Sequence, residues 1–289
     1  MPEGLNKLYE YIMKSELRVV NDHFYVRLAP ELAKKYDAGV YDNALKKRAG
    51  YIDEIRNLGI KYPGRADPIF YMYIVPDDNF IELLMYPKPN ATDGGKPVDT
   101  CDIDGFAWAY GISQNLCANC TANNPTTATR VNALHELAHL VHSQFFTLKD
   151  RMIAEGFAEA LPLYTMNYES KFDAHREIIK NMSADDIISP KELLDLGRTG
   201  NFRDISKDAS FDTSYISSYL FVRGYITKLG QMFNLDRVAA TQRFLEIVYM
   251  SLNKYEWLLR DLAYEINVDA DTIFGKELQL LAQSDIAQI

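Results

Sequence analysis

This sequence predicts an α+β chain in two lobes, a small mixed β-sheet lobe over residues 1–125 and a mainly helical lobe over 126–289. Three observations carry that expectation. Pro68-Ile69-Phe70-Tyr71-Met72-Tyr73-Ile74-Val75-Pro76 is an aromatic and β-branched run between prolines, the strongest strand signal in the chain. From Thr126 onward the pattern is almost entirely helical. Where the lobes meet, Ala133-Leu134-His135-Glu136-Leu137-Ala138-His139-Leu140-Val141-His142 sets His-Glu-x-x-His inside a strongly helical run.

The elements follow in order. His23-Phe24-Tyr25-Val26-Arg27-Leu28 reads as a strand, and Pro30 precedes a helical pattern from about Glu31 to Leu58. Gly59 stands where a C-cap glycine belongs. After the run at 68–76, Asn79 to Met85 suits a short helix, and Tyr86 to Thr100 is loop by its Pro, Gly and Asp content. Phe106 to Ile112 and Gln114 to Cys117 read as two short strands just before the metal-motif helix. No internal repeat or low-complexity tract interrupts the chain.

The His-Glu-x-x-His spacing has a chemical purpose. Residues four apart on an α-helix lie one above the other on the same face. His135 and His139 can therefore reach one cation, each at about 2.0–2.1 Å. Glu136 points beside that cation, where a carboxylate can take a proton from a water that the metal activates. Three of the five histidines fall within 135–142. The alternative reading of the segment is a core helix with a few polar residues on one side. His142 shares the ligand face and suits either a place behind the metal ligands or, the favoured reading, a structural place near the helix end, where positive charge favours the macrodipole. His23 and His175 have no partners in sequence.

The next helix offers a candidate third ligand. Arg151-Met152-Ile153-Ala154-Glu155-Gly156-Phe157-Ala158-Glu159-Ala160-Leu161 begins after Asp150, which suits an N-cap. A catalytic zinc takes three protein ligands and keeps a fourth position open, and His₂Glu is one such set. Fifteen residues separate His139 from Glu155, room for a helix end, a turn and the first turn of an antiparallel partner. Glu159 lies one turn beyond Glu155 on the same face. It suits the carboxylate that accepts the second ring proton of His135 or His139. An ordinary helix with two solvated glutamates is the alternative, against which the apolar Ala-Glu-Gly-Phe-Ala-Glu-Ala context weighs.

Together, His135-Glu136-Leu137-Ala138-His139 and Glu155-Gly156-Phe157-Ala158-Glu159 resemble the active site of the gluzincin zinc metallopeptidases, the clan of thermolysin and aminopeptidase N. The spacing is a few residues shorter than in either group, which resembles the compact "peptidase MA-like" branch. No counterpart of the Gly-Ala-Met-Glu-Asn exopeptidase motif precedes the helix. The resemblance implies a two-lobed zincin-like fold with this helix at the cleft. It also implies one zinc ion held by His135, His139 and Glu155, and Glu159 in support of a ligand histidine. The strand before the helix would be a sheet edge that pairs with extended peptide. Asp212-Thr213-Ser214-Tyr215-Ile216-Ser217-Ser218-Tyr219-Leu220-Phe221-Val222-Arg223-Gly224-Tyr225 through Gly230 resembles the helix carrying the clan's catalytic tyrosine. Tyr215 matches that position, where its hydroxyl would donate to the oxyanion. Tyr219 and Tyr225 share the helix and are the competing choices among 19 tyrosines.

Composition narrows the partners. A net charge of −9 and a pI near 5.1 argue against nucleic acid, which needs clustered Lys and Arg. No apolar run approaches the roughly twenty residues that span a bilayer. Met1-Pro2-Glu3-Gly4 shows neither a basic start nor an apolar h-region, so the expectation is a cytoplasmic protein, or a secreted one already trimmed of its signal peptide. Cys101, Cys117 and Cys120 are the three cysteines, an odd count that favours reduced thiols; one disulfide involving Cys101 fits an exported form. Asn90-Ala91-Thr92, Asn119-Cys120-Thr121 and Asn181-Met182-Ser183 fit the glycosylation triplet. The expected activity is zinc-dependent hydrolysis of a peptide or protein substrate. The rivals are a metal-dependent hydrolase of a non-peptide amide and a catalytically silent protein that keeps the fold. Intact Glu136 counts against silence, because a bare metal site needs no general base.

Overall fold

The computed structural model describes residues 46, 49–63, 127–142, 145, 151–171, 173–199, 213–251 and 255–288, some of them by backbone alone. Seven strand segments are also described by backbone alone. They are β1 (Glu16–Asn21), β2 (Phe24–Leu28), β3 (Phe70–Val75), β4 (Thr92–Asp93), β5 (Lys96–Pro97), β6 (Gly105–Trp108) and β7 (Gly111–Asn115). Their ladders run in the order β1-β2-β3-β7-β6, with β4-β5 apart. Contacts divide the chain into two compact units, Met1–Asn57 with Asp67–Leu140, and Leu58–Ala66 with Val141–Ile289.

Apolar residues at three- and four-residue spacing make two core helices, α1 (49–56) in the first unit and α2 (Thr127–His142), which belongs to that unit through Leu140. Tyr51, Ile52 and Ile55 are buried on α1, and Val131, Leu134, Leu137 and Ala138 on α2. Arg130 pairs with Glu54 and lies over the Tyr51 ring, 5.4 Å from its centroid. This part-exposed pair adds about 0.2–1 kcal/mol at most, so its main effect is to register α2 against α1.

The second unit is built around two helices. In α3 (Arg151–Ala160) every residue after Arg151 is buried except Glu155 and Glu159. Pro162 lacks an N–H and cannot extend a regular helix, and the chain widens into a π-helical turn over Leu161–Thr165. Asn167, at φ 62°, then reverses the chain before a short 3₁₀ turn, Glu169–Lys171. Helices α4 (Asp173–Asn181) and α5 (Pro190–Thr199) lead to the long α6 (Thr213–Phe233). Four more helices close the unit: α7 (Arg237–Met250), α8 (Tyr255–Glu265), α9 (Ala270–Phe274) and α10 (Glu277–Ala287). Asp236 caps α7 by accepting from Ala239 N at 2.8 Å.

Small residues let these helices touch backbone to backbone. A Cβ added to Gly156 of α3 would sit 2.4 Å from the Ser218 carbonyl oxygen of α6. One added to Gly224 of α6 would sit 2.1 Å from the Leu278 carbonyl oxygen of α10. Gln279 of α10 donates to Ile188 O at 2.7 Å and to Ser217 O at 2.9 Å, which fixes the register of that helix.

The α+β expectation, with its β-sheet lobe, is corrected by these findings. Among the residues described to the side chain, 78% are helical and none lies in a strand. Every described core residue sits on a helix or a helix connection. Strand propensity reports how well a side chain suits a pleated, half-buried surface, and aromatic runs alone do not specify a sheet lobe. The expected peptide-pairing edge falls on strands whose side chains lie outside the described residues. Within the expected loop Tyr86–Thr100 the backbone forms the short antiparallel pair β4–β5. The rest of that loop, most of the helix expected from Glu31, the helix at Asn79–Met85, the cysteines, Asp150, Asn90 and Asn119 also lie outside the described residues. Gly59 takes the left-handed conformation of a C-cap, φ 70°. Asn181 donates to Glu177 O at 2.8 Å from an exposed position.

Candidate metal centre

The site begins with one turn of α2. His135 and His139 face each other through Nε2 atoms 3.2 Å apart, their rings nearly perpendicular at 87°. Two nitrogens bound to one tetrahedral ion at about 2.0–2.1 Å lie about 3.3 Å apart, so the observed separation suits a shared cation. The ligand atoms of His135, His139 and Glu155 all lie within 4.8 Å of one another. Two imidazole nitrogens and one carboxylate oxygen are a donor set that zinc accepts, with a fourth position left over. The residues present therefore fit the ion the sequence implies.

Glu136 is half-buried on α2, next to the first histidine. Glu155 and Glu159 are the half-buried residues along an otherwise buried stretch of α3. The Glu159 charge is felt at the Tyr219 hydroxyl. His142 is fully buried and meets the Phe157 ring edge-on, with centroids 6.1 Å apart. That contact gives it a packing role in the second unit.

The three tyrosines of α6 have different surroundings. Tyr219 is fully buried, and its hydroxyl donates to Glu169 Oε1. Tyr225 is fully buried, and its hydroxyl donates to Leu262 O at 2.9 Å. Burial first, then the charge of Glu169, pushes the Tyr219 phenol well above its ordinary range. Burial and the charge of Glu265 do the same for Tyr225. Between Ser214 and Ile226, Tyr215 is the one residue that is not buried.

A buried ionic group beneath this helix was not foreseeable from sequence. Arg223 and Glu169, 2% and 3% exposed, pair with Nε to Oε1 at 2.5 Å and Nη2 to Oε2 at 3.3 Å. Arg223 also donates to Asp285 at 3.4 Å and lies over the Tyr164 ring, 4.8 Å from its centroid. Burial alone would lower the guanidinium pKa, but the hydrogen bond and charge of Glu169 more than offset it and hold Arg223 protonated. Tyr219 and Arg223 stand four apart on one helical face, a spacing visible in sequence. Their acceptor lies some fifty residues upstream, and no local pattern marks it.

No family model matches the chain, and no curated protein matches it. Among the described residues no helix is long and apolar enough to cross a membrane.

Proposed function

We propose that this chain is a zinc-dependent peptidase of the gluzincin type. The observation that carries the reading is the convergence of His135, His139 and Glu155 donor atoms beside Glu136. When bound, zinc supplies Lewis-acid polarisation of the scissile carbonyl and makes water acidic enough to attack near neutral pH. Glu136 takes the proton of the attacking water and passes it to the leaving amine. Tyr215, the partly open tyrosine of α6, donates to the carbonyl oxygen as negative charge builds there. Glu159 supports the ligand set from one turn along α3.

The test is mass spectrometry of peptide-library digests, with and without a chelator, beside elemental analysis of protein purified without chelator. One zinc per chain and chelator-sensitive cleavage are the expected results. Bound zinc without cleavage of any peptide would overturn the peptidase reading in favour of a silent binding protein or a hydrolase of another amide. Absence of tightly held metal would overturn the ligand assignment itself.

A further inference from the structure

Glu155 can serve a metal only if α3 is held at one height along its own axis. The second unit holds α3 at two separated points. At the first, Gly156 presses against the Ser218 carbonyl and the Val222 side chain of α6, leaving no space for a Cβ. At the second, just past the π turn that ends α3, Glu169 is gripped by Tyr219 and Arg223 of the same α6. The ring of Tyr164, inside that turn, meets two guanidinium groups, Arg223 at 4.8 Å and Arg237 at 4.7 Å from its centroid. Its hydroxyl is bonded to Thr227 Oγ1 at 3.0 Å. A slide of α3 along α6 would break the second grip before the Gly156 contact could be re-formed one turn away.

We propose that Glu169, Arg223 and Tyr219 are positioning residues that lock α3, and with it Glu155, against α6. None of the three touches a reacting atom; each is buried, and each acts through the placement of α3. Its consequence for the metal rests on the metallopeptidase reading above. The lock on α3 does not.

Tyr219→Phe removes one donor to Glu169 while leaving the Arg223 pair in place, so the variant keeps its buried charges matched. Tyr225→Phe is the control, because it removes an equally buried hydroxyl from the same helix, one that donates to Leu262 O instead. Two quantities are read in all three proteins: zinc Kd by chelator competition, and amide hydrogen exchange of residues 151–160 in metal-free protein. Tyr219→Phe is expected to raise the zinc Kd about 10-fold, the low end of what outer partners of metal ligands contribute. It should also speed exchange along α3 about 10-fold, while Tyr225→Phe changes neither at a comparable loss of Tm. Wild-type Kd and exchange in Tyr219→Phe would overturn the proposal. So would faster exchange with an unchanged Kd, since α3 would then loosen without consequence for Glu155. A wild-type protein that binds no zinc would sink the metallopeptidase reading instead, and the exchange measurement alone would then decide the lock. Glu169→Gln, which leaves Arg223 without its full counter-charge, should exceed Tyr219→Phe in the exchange arm; equal or smaller effects would count against the grip.

Discussion

Chemistry at the residue scale turns on two side chains that differ from their neighbours in a single respect. Glu136 is the carboxylate beside the ligand pair, and Glu136→Gln keeps its shape while removing its basicity. Zinc content should stay at one per chain while turnover falls about 10²–10⁴-fold, the usual scale of general acid–base catalysis. Turnover comparable to wild type would mean that another group accepts the proton. Tyr215 is distinguished by exposure, standing partly open on a helix face where Tyr219 and Tyr225 are sealed. Tyr215→Phe should lower kcat about 10²–10³-fold with little change in KM, because the hydroxyl acts mainly in the transition state. A silent Tyr215→Phe would remove α6 from the reaction and leave its tyrosines a structural role. The metal motif was legible in sequence because both histidines and Glu136 belong to one helical turn, and local periodicity is enough to align them. Glu155 was read from its spacing after His139, its apolar helix context and the resemblance of that helix. Tyr215 was chosen among the tyrosines by resemblance, and the burial that separates it from Tyr219 and Tyr225 is set by long-range packing that no local pattern reports.

Among the elements, close helix contact decides where those side chains stand. Gly156 is the point at which α3 and α6 meet backbone to backbone. Gly156→Ala would improve local helix propensity by up to about 1 kcal/mol. The new methyl would meet a carbonyl oxygen at 2.4 Å, and a backbone cannot yield as a flexible side chain does. Overpacking of this kind costs about 1–3 kcal/mol or more, so the net change should be a loss of stability. The displacement is also expected to weaken zinc binding, because Glu155 adjoins the contact. Urea unfolding and chelator competition on one preparation check both, and a stabilised variant would show that α3 has slack against α6. Helices were the legible elements, since their apolar spacing extends over ten residues or more. The β-sheet lobe was not. Aromatic and β-branched runs such as 68–76 announce strand preference, yet the described core is assembled from helices. The Glu169–Arg223 pair could not be read at all, because its two halves belong to different elements far apart in sequence.

At the scale of the whole molecule, two buried phenols tie global stability to alkaline pH. Tyr219 and Tyr225 are fully buried, and both hydroxyls donate to internal acceptors. Both ionise above the ordinary 10.0 in the folded chain, Tyr219 through burial and the Glu169 charge, Tyr225 through burial and the Glu265 charge. The sign follows from proton linkage. Folded protein keeps these protons where the unfolded chain releases them, so their contribution is complete below pH 10 and is lost as pH climbs toward the folded values. Each such group removes about 1.4 kcal/mol of stability per pH unit in that window, and the pair about twice that. Urea unfolding at pH 9, 10, 10.5 and 11 should therefore show stability nearly level at first and then falling. The Tyr219→Phe, Tyr225→Phe double variant loses both hydroxyl hydrogen bonds and should be weaker than wild type at pH 9. Its stability should nevertheless decline less steeply above pH 10, so the two curves converge. Other groups titrate in this range in both proteins, and the comparison cancels them. Parallel curves would show that these phenols do not hold their protons on folding, and that the interior around Glu169 admits enough water to let Tyr219 ionise.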